Sequence, residues 1–157
     1  MSDAAVERFF NEAVPDSVDP MARLAELGAA MRREPETFDP AVSHYRAAGL
    51  YGRRIYVPAG QCVLTEIHKF EHLTVALAGE CLVSDGAGNE LKVEAPAVFI
   101  TPAGTQRAVY AITNVEWLTV HAVESLPDVS EARAVLTCRT AEEYRQWDEG
   151  LWLGGAV

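Results

Sequence analysis

The first fifty residues carry apolar side chains at helical spacing. Asp19-Pro20 places an N-cap directly before a proline, which predicts the start of a helix. The apolar side chains that follow lie on one face of this helix: Met21, Leu24, Leu27 and Met31. We expect this stripe to pack against the rest of the domain or a second subunit. An earlier helix is predicted from Ser2 or Asp3 to about Glu12, and a third over 40–48.

From Tyr51 onward the pattern changes to short apolar runs separated by turn residues. Such runs are typical of strands, and they cover residues 51–57, 61–67, 73–78, 81–84, 90–93, 97–100, 106–112 and 115–123. The separators include Pro58-Ala59-Gly60 and the hairpin signal Asp85-Gly86-Ala87-Gly88-Asn89. About eight short strands at this spacing predict an antiparallel sandwich or closed barrel.

The C-terminal residues return to a helical pattern. Thr140 with Glu143 fits a capping box, which predicts a helix over 142–149 that ends at Gly150. The apolar segment Leu151-Trp152-Leu153 is expected to dock against another surface. The chain is therefore predicted to have a helical N-terminal extension over 1–49, a barrel over 50–136 and a C-terminal helix and tail over 137–157.

Length, charge and cysteine content narrow the class of protein. The 157 residues suit a single domain, and the net charge of −10 argues against nucleic acid or an anionic membrane surface as partner. The basic pairs Arg32-Arg33 and Arg53-Arg54 are interpreted as solvated. No apolar run approaches the roughly 20 residues of a membrane helix. The three cysteines, at irregular spacing and without a visible signal peptide, predict reduced thiols in a cytoplasmic protein.

The histidines are the main candidates for chemistry. In a straight strand, His68 and His72 would lie about 13 Å apart, too far to share one metal ion. Joint ligation therefore needs a bend over 69–71 or a helix. The helical alternative matches H-x-x-E-H, the inverted zinc-protease motif, in which Glu71 would activate water. The hairpin pattern that follows argues against it. A structural role, with each histidine at the surface or hydrogen-bonded in the core, is the other alternative.

Residues 51–123 resemble the cupins, in particular small cupin-like proteins of bacteriophage and bacterial genomes. The segments that carry the resemblance are Gly49-Leu50-Tyr51, Pro58-Ala59-Gly60, 67–73, Leu77-Ala78-Gly79, Ala95-Pro96, 101–107 and 117–121. The chain departs from the general cupin pattern in its ligands. His68 matches the first histidine, Phe70 replaces the second, His72 stands at the glutamate position and Arg107 at that of the third histidine.

The resemblance implies a mostly β fold, a single cupin-type antiparallel β-barrel or jelly roll with helical termini. It also implies a divalent metal (iron, zinc, nickel, copper or manganese) held by His68, His72 and His121. Glu66 or Glu71 would be a candidate fourth ligand. Arg107, close to the metal, would bind an anion and act in catalysis together with Glu71.

Two functions follow from this resemblance. The first is a metal-dependent enzyme, of dioxygenase, isomerase or lyase type, that acts on a small anionic molecule. The second is a non-catalytic ligand-binding or structural cupin, with a phage-related role among the options. An open polar pocket would favour the enzyme, whereas a barrel plugged by Phe70, Tyr110 and Trp117 would favour the second. A homodimer that buries the methionine-leucine stripe or Trp152 is expected in both cases.

Overall fold

The computed structural model describes residues 4–34, 38–125 and 128–154. The first two predicted helices are present as α1 (Ala4–Asn11) and α2 (Pro20–Met31). The Asp19 side chain caps α2 by accepting a hydrogen bond from the backbone N of Met21 at 3.0 Å. Proline in the first turn of α2 has no N–H to leave unsatisfied, so the predicted helix start is confirmed.

Eleven strands and two further helices complete the described part of the chain. The strands are β1 (Ala41–Ala47), β2 (Leu50–Val57), β3 (Cys62–Leu64), β4 (Ile67–His68), β5 (His72–Ala78), β6 (Glu80–Ser84), β7 (Glu90–Glu94), β8 (Ala97–Thr101), β9 (Ala108–Ala111), β10 (Val115–Ala122) and β11 (Thr137–Cys138). The helices are α3 (Val129–Leu136) and α4 (Ala141–Gly154). None of the four helices in these described ranges is long and apolar enough to cross a bilayer.

Two antiparallel sheets face each other. Sheet A has the order β1-β2-β10-β5-β8, and sheet B has the order β3-β9-β6-β7. Between β2 and β10 the chain passes repeatedly from one sheet to the other, which is the strand order of a jelly roll. The short strands β4 and β11 pair separately. The predicted fold class, a mostly β antiparallel jelly roll with helical N- and C-terminal segments, is confirmed.

Strand alternation places the apolar core between the sheets. Inward side chains from both sheets form it: Ile55, Val57, Ala76, Cys81, Val83, Val93, Val109, Ala111, Val115 and Trp117. Inward positions beyond this core are more polar and line a cavity of about 790 Å³. The alternation of inward and outward side chains therefore gives this cavity an apolar floor and a polar wall.

The N-terminal helices pack against the domain itself. Leu24 and Leu27 are buried in a cluster with Val6 and Phe9 of α1 and with small residues of sheet B. Met21 and Met31 contribute partly buried surface to this cluster. The apolar stripe of α2 thus packs within the chain, which was one of its two expected roles.

The expected helix over 40–48 is wrong. Residues 41–47 form β1, which pairs with β2 from Ala41↔Tyr56 to Ala47↔Leu50. Gly49, with φ of +75°, closes the tight connection between the two strands. An edge of sheet A thus supplies backbone partners for seven consecutive residues, and this pairing outweighs a weak local helical preference.

The C-terminal elements differ from expectation in extent. Thr140 Oγ1 accepts from the backbone N of Glu143 at 3.1 Å, so the predicted cap of α4 is confirmed. The predicted end at Gly150 is wrong, because α4 continues to Gly154; a glycine costs about 1 kcal/mol in a helix but does not terminate it by itself. The expected docking of 151–153 concerns side chains outside the described residues. Helix α3 was not predicted.

Candidate metal centre

Three histidines from three strands converge at the polar end of the cavity. His68 lies in β4, His72 begins β5 and His121 lies near the end of β10. One ring nitrogen of each lies within 4.8 Å of those of the other two. Ring centroids are 4.1 Å apart for His68 and His72, 4.4 Å for His72 and His121, and 5.5 Å for His68 and His121. The predicted convergence is confirmed.

A bend in the chain brings the first two histidines together. Residues 69 and 70 form a bend between β4 and β5, so the helix required by the H-x-x-E-H alternative is absent and that hypothesis is wrong. The backbone N of His68 donates to Thr105 O, and His68 O accepts from the backbone N of Gly104. These bonds hold β4 against the loop before β9. The third histidine joins because β10 pairs with both β2 and β5.

The hydrogen bonds of the ring nitrogens distinguish the three histidines. His72 Nδ1 lies 3.1 Å from the carbonyl oxygen of Phe70, which can only accept. Nδ1 of His72 therefore carries the proton, and Nε2 keeps its lone pair. Nδ1 of His68 and Nδ1 of His121 are buried and have no hydrogen-bond partner within the described part of the chain. Buried nitrogens of this kind cost free energy unless something binds them.

The environment keeps all three imidazoles neutral. Burial, reinforced by the neighbouring histidines and by Arg53 and Arg107, lowers the pKa of His68 to about 2. Burial, with smaller contributions from His72 and Arg53, lowers the pKa of His121 to about 4. Burial is also the main cause of the lowered pKa of His72. Neutral imidazole is the form that ligates metals, so the lone pairs are available at neutral pH.

The donor set fits a transition metal ion. Three convergent neutral imidazoles suit zinc, iron, copper or nickel, and three protein ligands leave further coordination positions open towards the cavity. Among the described residues, the group that could hold an ion consists of these three histidines alone. The purely structural alternative would leave two buried nitrogens unsatisfied, which the metal-binding interpretation explains.

The two candidate acidic ligands lie elsewhere. Glu66 lines the cavity, but its carboxylate accepts hydrogen bonds from Arg133 Nε and Thr137 Oγ1 and forms an ion pair with Arg133. Glu71 is exposed between β4 and β5 and does not line the cavity. The structure therefore does not bring Glu71 together with the histidines, and the catalytic role of Glu71 stays a prediction.

Arg107 lies in the cavity, as the cupin resemblance implied. Its backbone N donates to Thr65 Oγ1 at 2.9 Å, and its guanidinium carbon lies 5.4 Å from the centroid of the Phe99 ring. Burial lowers the pKa of Arg107. Glu66, an acid that also lines the cavity, is bonded to Arg133. The Arg107 side chain is thus placed to meet a ligand.

Arg53 is a cavity residue that sequence reasoning missed. Both side chains of the Arg53-Arg54 pair keep contact with solvent, as interpreted from the sequence, but Arg54 forms a 2.7 Å ion pair with Glu116 whereas Arg53 lines the cavity. Tyr51, Arg53 and Ile55 alternate on the inward face of β2, so the period of two was the signal available in the sequence. Arg53 remains solvent-accessible through the cavity while protein atoms surround it on the other sides.

The cavity has the opposite charge balance to the whole chain. Five arginines and two acids are among its lining residues: Arg32, Arg53, Arg107, Arg133, Arg139, Asp39 and Glu66. The chain as a whole carries a net charge of −10. A cleft lined by one sign of charge raises the local concentration of ligands of the opposite sign. This cavity therefore favours anions even though the protein is acidic.

The aromatic residues leave the cavity open. Trp117 lies at its floor and contacts Phe99 edge to face, with ring centroids 5.4 Å apart. Phe70 is exposed and packs against Trp147, and Tyr110 packs against Phe10 of α1. Phe70 and Tyr110 do not line the cavity, so the considered aromatic plug does not form.

His44 also contacts the cavity. It belongs to residues 40–48, for which the sequence predicts a helix. In the structure His44 lies on β1, and its Nδ1 is 2.6 Å from the hydroxyl of the buried Tyr51. Both residues line the cavity. The strand, rather than a helix, is what directs this pair inward.

Comparisons with known proteins identify similar solved structures. No family model matches the chain, and no curated protein matches it. A cupin superfamily protein, DSY2733 from Desulfitobacterium hafniense, is 15% identical over 72% of this chain and 97% of its own, with a TM-score of 0.47. A conserved protein with a double-stranded β-helix domain from Klebsiella pneumoniae is 17% identical over 57% of this chain and 81% of its own, with a TM-score of 0.48.

A third similar structure is a Cupin 2 conserved barrel domain protein from Salinispora arenicola. It is 17% identical over 54% of this chain and 76% of its own, with a TM-score of 0.46. Because all three TM-scores lie below 0.5, the fold assignment rests on the strand order of this chain, and its chemistry on the residues in the cavity.

Proposed function

We propose that this protein is a metal-binding cupin that acts as a metal-dependent enzyme on a small anionic molecule. The observation that carries the proposal is the convergence of His68, His72 and His121 at the polar end of an open, arginine-lined cavity. Neutral imidazoles with two unpartnered Nδ1 atoms support metal binding. The five arginines support an anionic ligand.

The chain's own residues suggest how such a ligand would be held. A bound divalent metal would polarise a substrate or water molecule, and a redox-active one would support dioxygen chemistry, which covers the dioxygenase, isomerase and lyase types. The planar guanidinium of Arg107 suits a carboxylate or phosphate. Thr74 and Thr101, whose hydroxyls bond each other at 2.7 Å, add polar groups to the wall, and Trp117 supplies an apolar surface below.

A second candidate function is a non-catalytic ligand-binding or structural cupin, with a phage-related role among the options. One observation favours it: Glu66 is bonded to Arg133, and Glu71 is exposed and does not line the cavity. Neither acid is therefore placed to exchange protons with a ligand. Turnover of a small anion separates the two functions, since only the enzyme converts the ligand.

Metal analysis of the purified protein tests the proposed centre. We expect about one ion per chain, and we expect His68→Ala, His72→Ala and His121→Ala each to lose most of it, because two imidazoles bind a divalent ion much more weakly than three. His44→Ala, a histidine on the cavity wall outside the group, is the matched control and should keep its metal. Circular dichroism of each variant checks that the sheets remain folded.

The outcomes that contradict the centre are specific. Stoichiometric metal in a His68→Ala/His72→Ala double variant would show that the ion binds elsewhere. Full occupancy in His121→Ala would leave a centre built on two histidines and a ligand of another kind.

We also propose that the protein is cytoplasmic and homodimeric. Support for the first comes from Cys62, Cys81 and Cys138, none of which forms a disulfide. No nucleic acid or membrane partner is proposed, given the acidic chain. The homodimer is tested at the scale of the whole molecule in the Discussion.

A further inference from the structure

Two arginines enter the cavity from opposing sheets. Arg53 lies on β2 of sheet A, two residues from Tyr51, whose partner on β10 is His121. Arg107 lies just before β9 of sheet B, where its backbone N is bonded to Thr65 Oγ1. Both side chains line the cavity that contains the histidines. The two guanidinium groups therefore reach the same space from different walls.

Each arginine lies near a different part of the histidine group. Arg107 stacks over Phe99, which is two residues from Thr101, the partner of His72 on β8. Beyond the larger effect of burial, the charge of Arg107 lowers the pKa of His72 and the charge of Arg53 lowers that of His121. The charges of both arginines contribute to the lowered pKa of His68. The three imidazoles are thus flanked by two cations.

Within the described ranges, no carboxylate forms an ion pair with either guanidinium. Among the described residues, the arginines that form ion pairs are others, including Arg133 with Glu66. Burial is the main cause of the lowered pKa of Arg53 and of Arg107, which means that each charged form is less well solvated there than in water. Arginine nevertheless stays protonated, so a bound anion would stabilise each site.

We propose that the ligand of this cavity carries two separate anionic groups, one bound by Arg107 and the other by Arg53, with its middle part facing the three histidines. This inference rests on the anionic ligand of the proposed function and adds that the ligand is doubly anionic. Carboxylate and phosphate groups both match the guanidinium fork. A ligand with one anionic group would leave one of the two cavity cations uncompensated, so Arg53 is a specificity-determining residue.

Paired probes of equal chain length test the inference. Dicarboxylates from malonate to adipate are titrated into the purified full-length protein by calorimetry, each compared with the monocarboxylate of the same carbon number. We expect at least one dicarboxylate to bind about tenfold more tightly than its partner, since one additional charge-assisted contact contributes about 1.4 kcal/mol or more. The dicarboxylate that binds most tightly in this series indicates which distance between two carboxylates matches the distance between the two guanidinium groups.

Variants assign the preference to the arginines. Arg53→Ala and Arg107→Ala should each remove the preference for the dicarboxylate while the metal content stays the same, and Arg53→Lys should restore it in part because lysine keeps the charge but not the fork. Arg54→Ala is the matched control: it removes a neighbouring arginine of β2 that pairs with Glu116, and it should keep the preference.

The outcomes separate this inference from the proposed function. A dicarboxylate preference that survives Arg53→Ala overturns the inference, as does equal binding of both classes, and the latter leaves the proposed anionic ligand standing. Failure of both classes to bind to metal-loaded protein overturns the anionic ligand and the inference together. An arginine-dependent preference in protein that binds no metal supports the inference and contradicts the metal centre.

Discussion

Gly79 joins β5 to β6 at a point where no other residue fits. Its φ is +86°, a conformation that L side chains rarely adopt. A Cβ at this position would also fall well inside the van der Waals contact distance from the carbonyl oxygen of Asn114, a backbone atom of the connection between β9 and β10. A side chain at position 79 would therefore cost free energy in two ways: through the unfavourable backbone conformation and through the clash with Asn114.

We predict that Gly79→Ala destabilises the protein far more than the same change at Gly60. Gly60 has a φ of +79°, but among the described residues no atom lies within 4 Å of the place that an alanine methyl group would occupy. Gly60→Ala therefore bears only the conformational cost of about 1–2 kcal/mol. At Gly79 the clash adds about 1–3 kcal/mol. Urea unfolding of both variants measures the difference, and equal losses of stability would show that the Asn114 backbone yields.

The three histidines of the cavity differ in what orients their rings. His72 is oriented by the Phe70 carbonyl, while His68 and His121 have no such partner within the described residues. One imidazole is thus fixed before any ligand arrives, and two gain a partner only from what binds. This unequal arrangement explains why the centre requires all three strands to be in place.

At the scale of elements, α3 covers one side of the cavity. Ala132 and Leu136 of this helix pack with Tyr51 in a buried cluster. Arg133 and Thr137, at the end of the helix, bond to Glu66 in the connection between β3 and β4. The helix is therefore attached to the domain by this apolar cluster, by the contacts to Glu66 and by Lys69, whose backbone N donates to Leu136 O and whose Nζ donates to Ala134 O.

We predict that Glu66→Gln loosens α3. Loss of the charged contact should destabilise the docked helix by about 1 kcal/mol, a modest value because Arg133 is largely exposed. Hydrogen exchange of the α3 amides should become faster, with the strands of sheet B unchanged. Glu71→Gln, which alters an exposed acid nearby, is the control. Unchanged exchange in Glu66→Gln would mean that the apolar cluster and the Lys69 bonds hold the helix without the Glu66 contact.

The contribution of Glu66 should also depend on pH. Burial alone would raise the pKa of Glu66, but the hydrogen bonds from Arg133 and Thr137 and the charge of Arg133 outweigh it, so the pKa is lowered in the folded protein. A lowered pKa stabilises the fold above the unfolded value of about 4.3. The stability difference between wild type and Glu66→Gln should therefore be complete at neutral pH and disappear as the pH falls through the folded pKa. A difference that persists in strong acid would contradict the ionic origin of the contact.

At the scale of the whole molecule, sheet A leaves apolar side chains on its outer face. Leu73 pairs with Ile100 and Val75 with Val98 across β5 and β8. Val98 is 64% exposed and Ile100 is 55% exposed. Leu24 and Leu27, expected to be available to a second subunit, are buried within the chain instead. The outer face of sheet A is therefore the surface on which we place the expected homodimer.

We predict that light scattering gives twice the chain mass of 17.1 kDa at micromolar concentration. Ile100→Glu should produce the monomer, because a charge in a buried apolar contact is unfavourable. Leu91→Glu is the control, since Leu91 is 59% exposed on β7 of the other sheet and its change should leave the dimer intact. A wild-type mass of one chain would contradict the dimer.

The jelly roll could be predicted from local features of the sequence. Alternating apolar residues and turn segments such as Asp85-Gly86-Ala87-Gly88-Asn89 act within a few residues, so they identify each strand without knowledge of its neighbours. The cap at Asp19 is local in the same sense. The grouping of His68, His72 and His121 into one centre came from the cupin resemblance, because spacing along the chain does not by itself give the distances between them.

The tertiary structure decided which face each side chain of β2 presents. Arg53 points into the cavity and Arg54 out of it because β2 pairs with β10 in the register that sets Tyr51 opposite His121. A slip of one residue would exchange the two arginines: the period of two groups Arg53 with Tyr51 and Ile55, but the register decides which of the two faces turns inward. Residues 41–47 form a strand for a similar reason: the edge of β2 supplies their backbone partners. The bonds of Glu66 to Arg133 and Thr137, about seventy residues away in sequence, likewise exist only once α3 has docked.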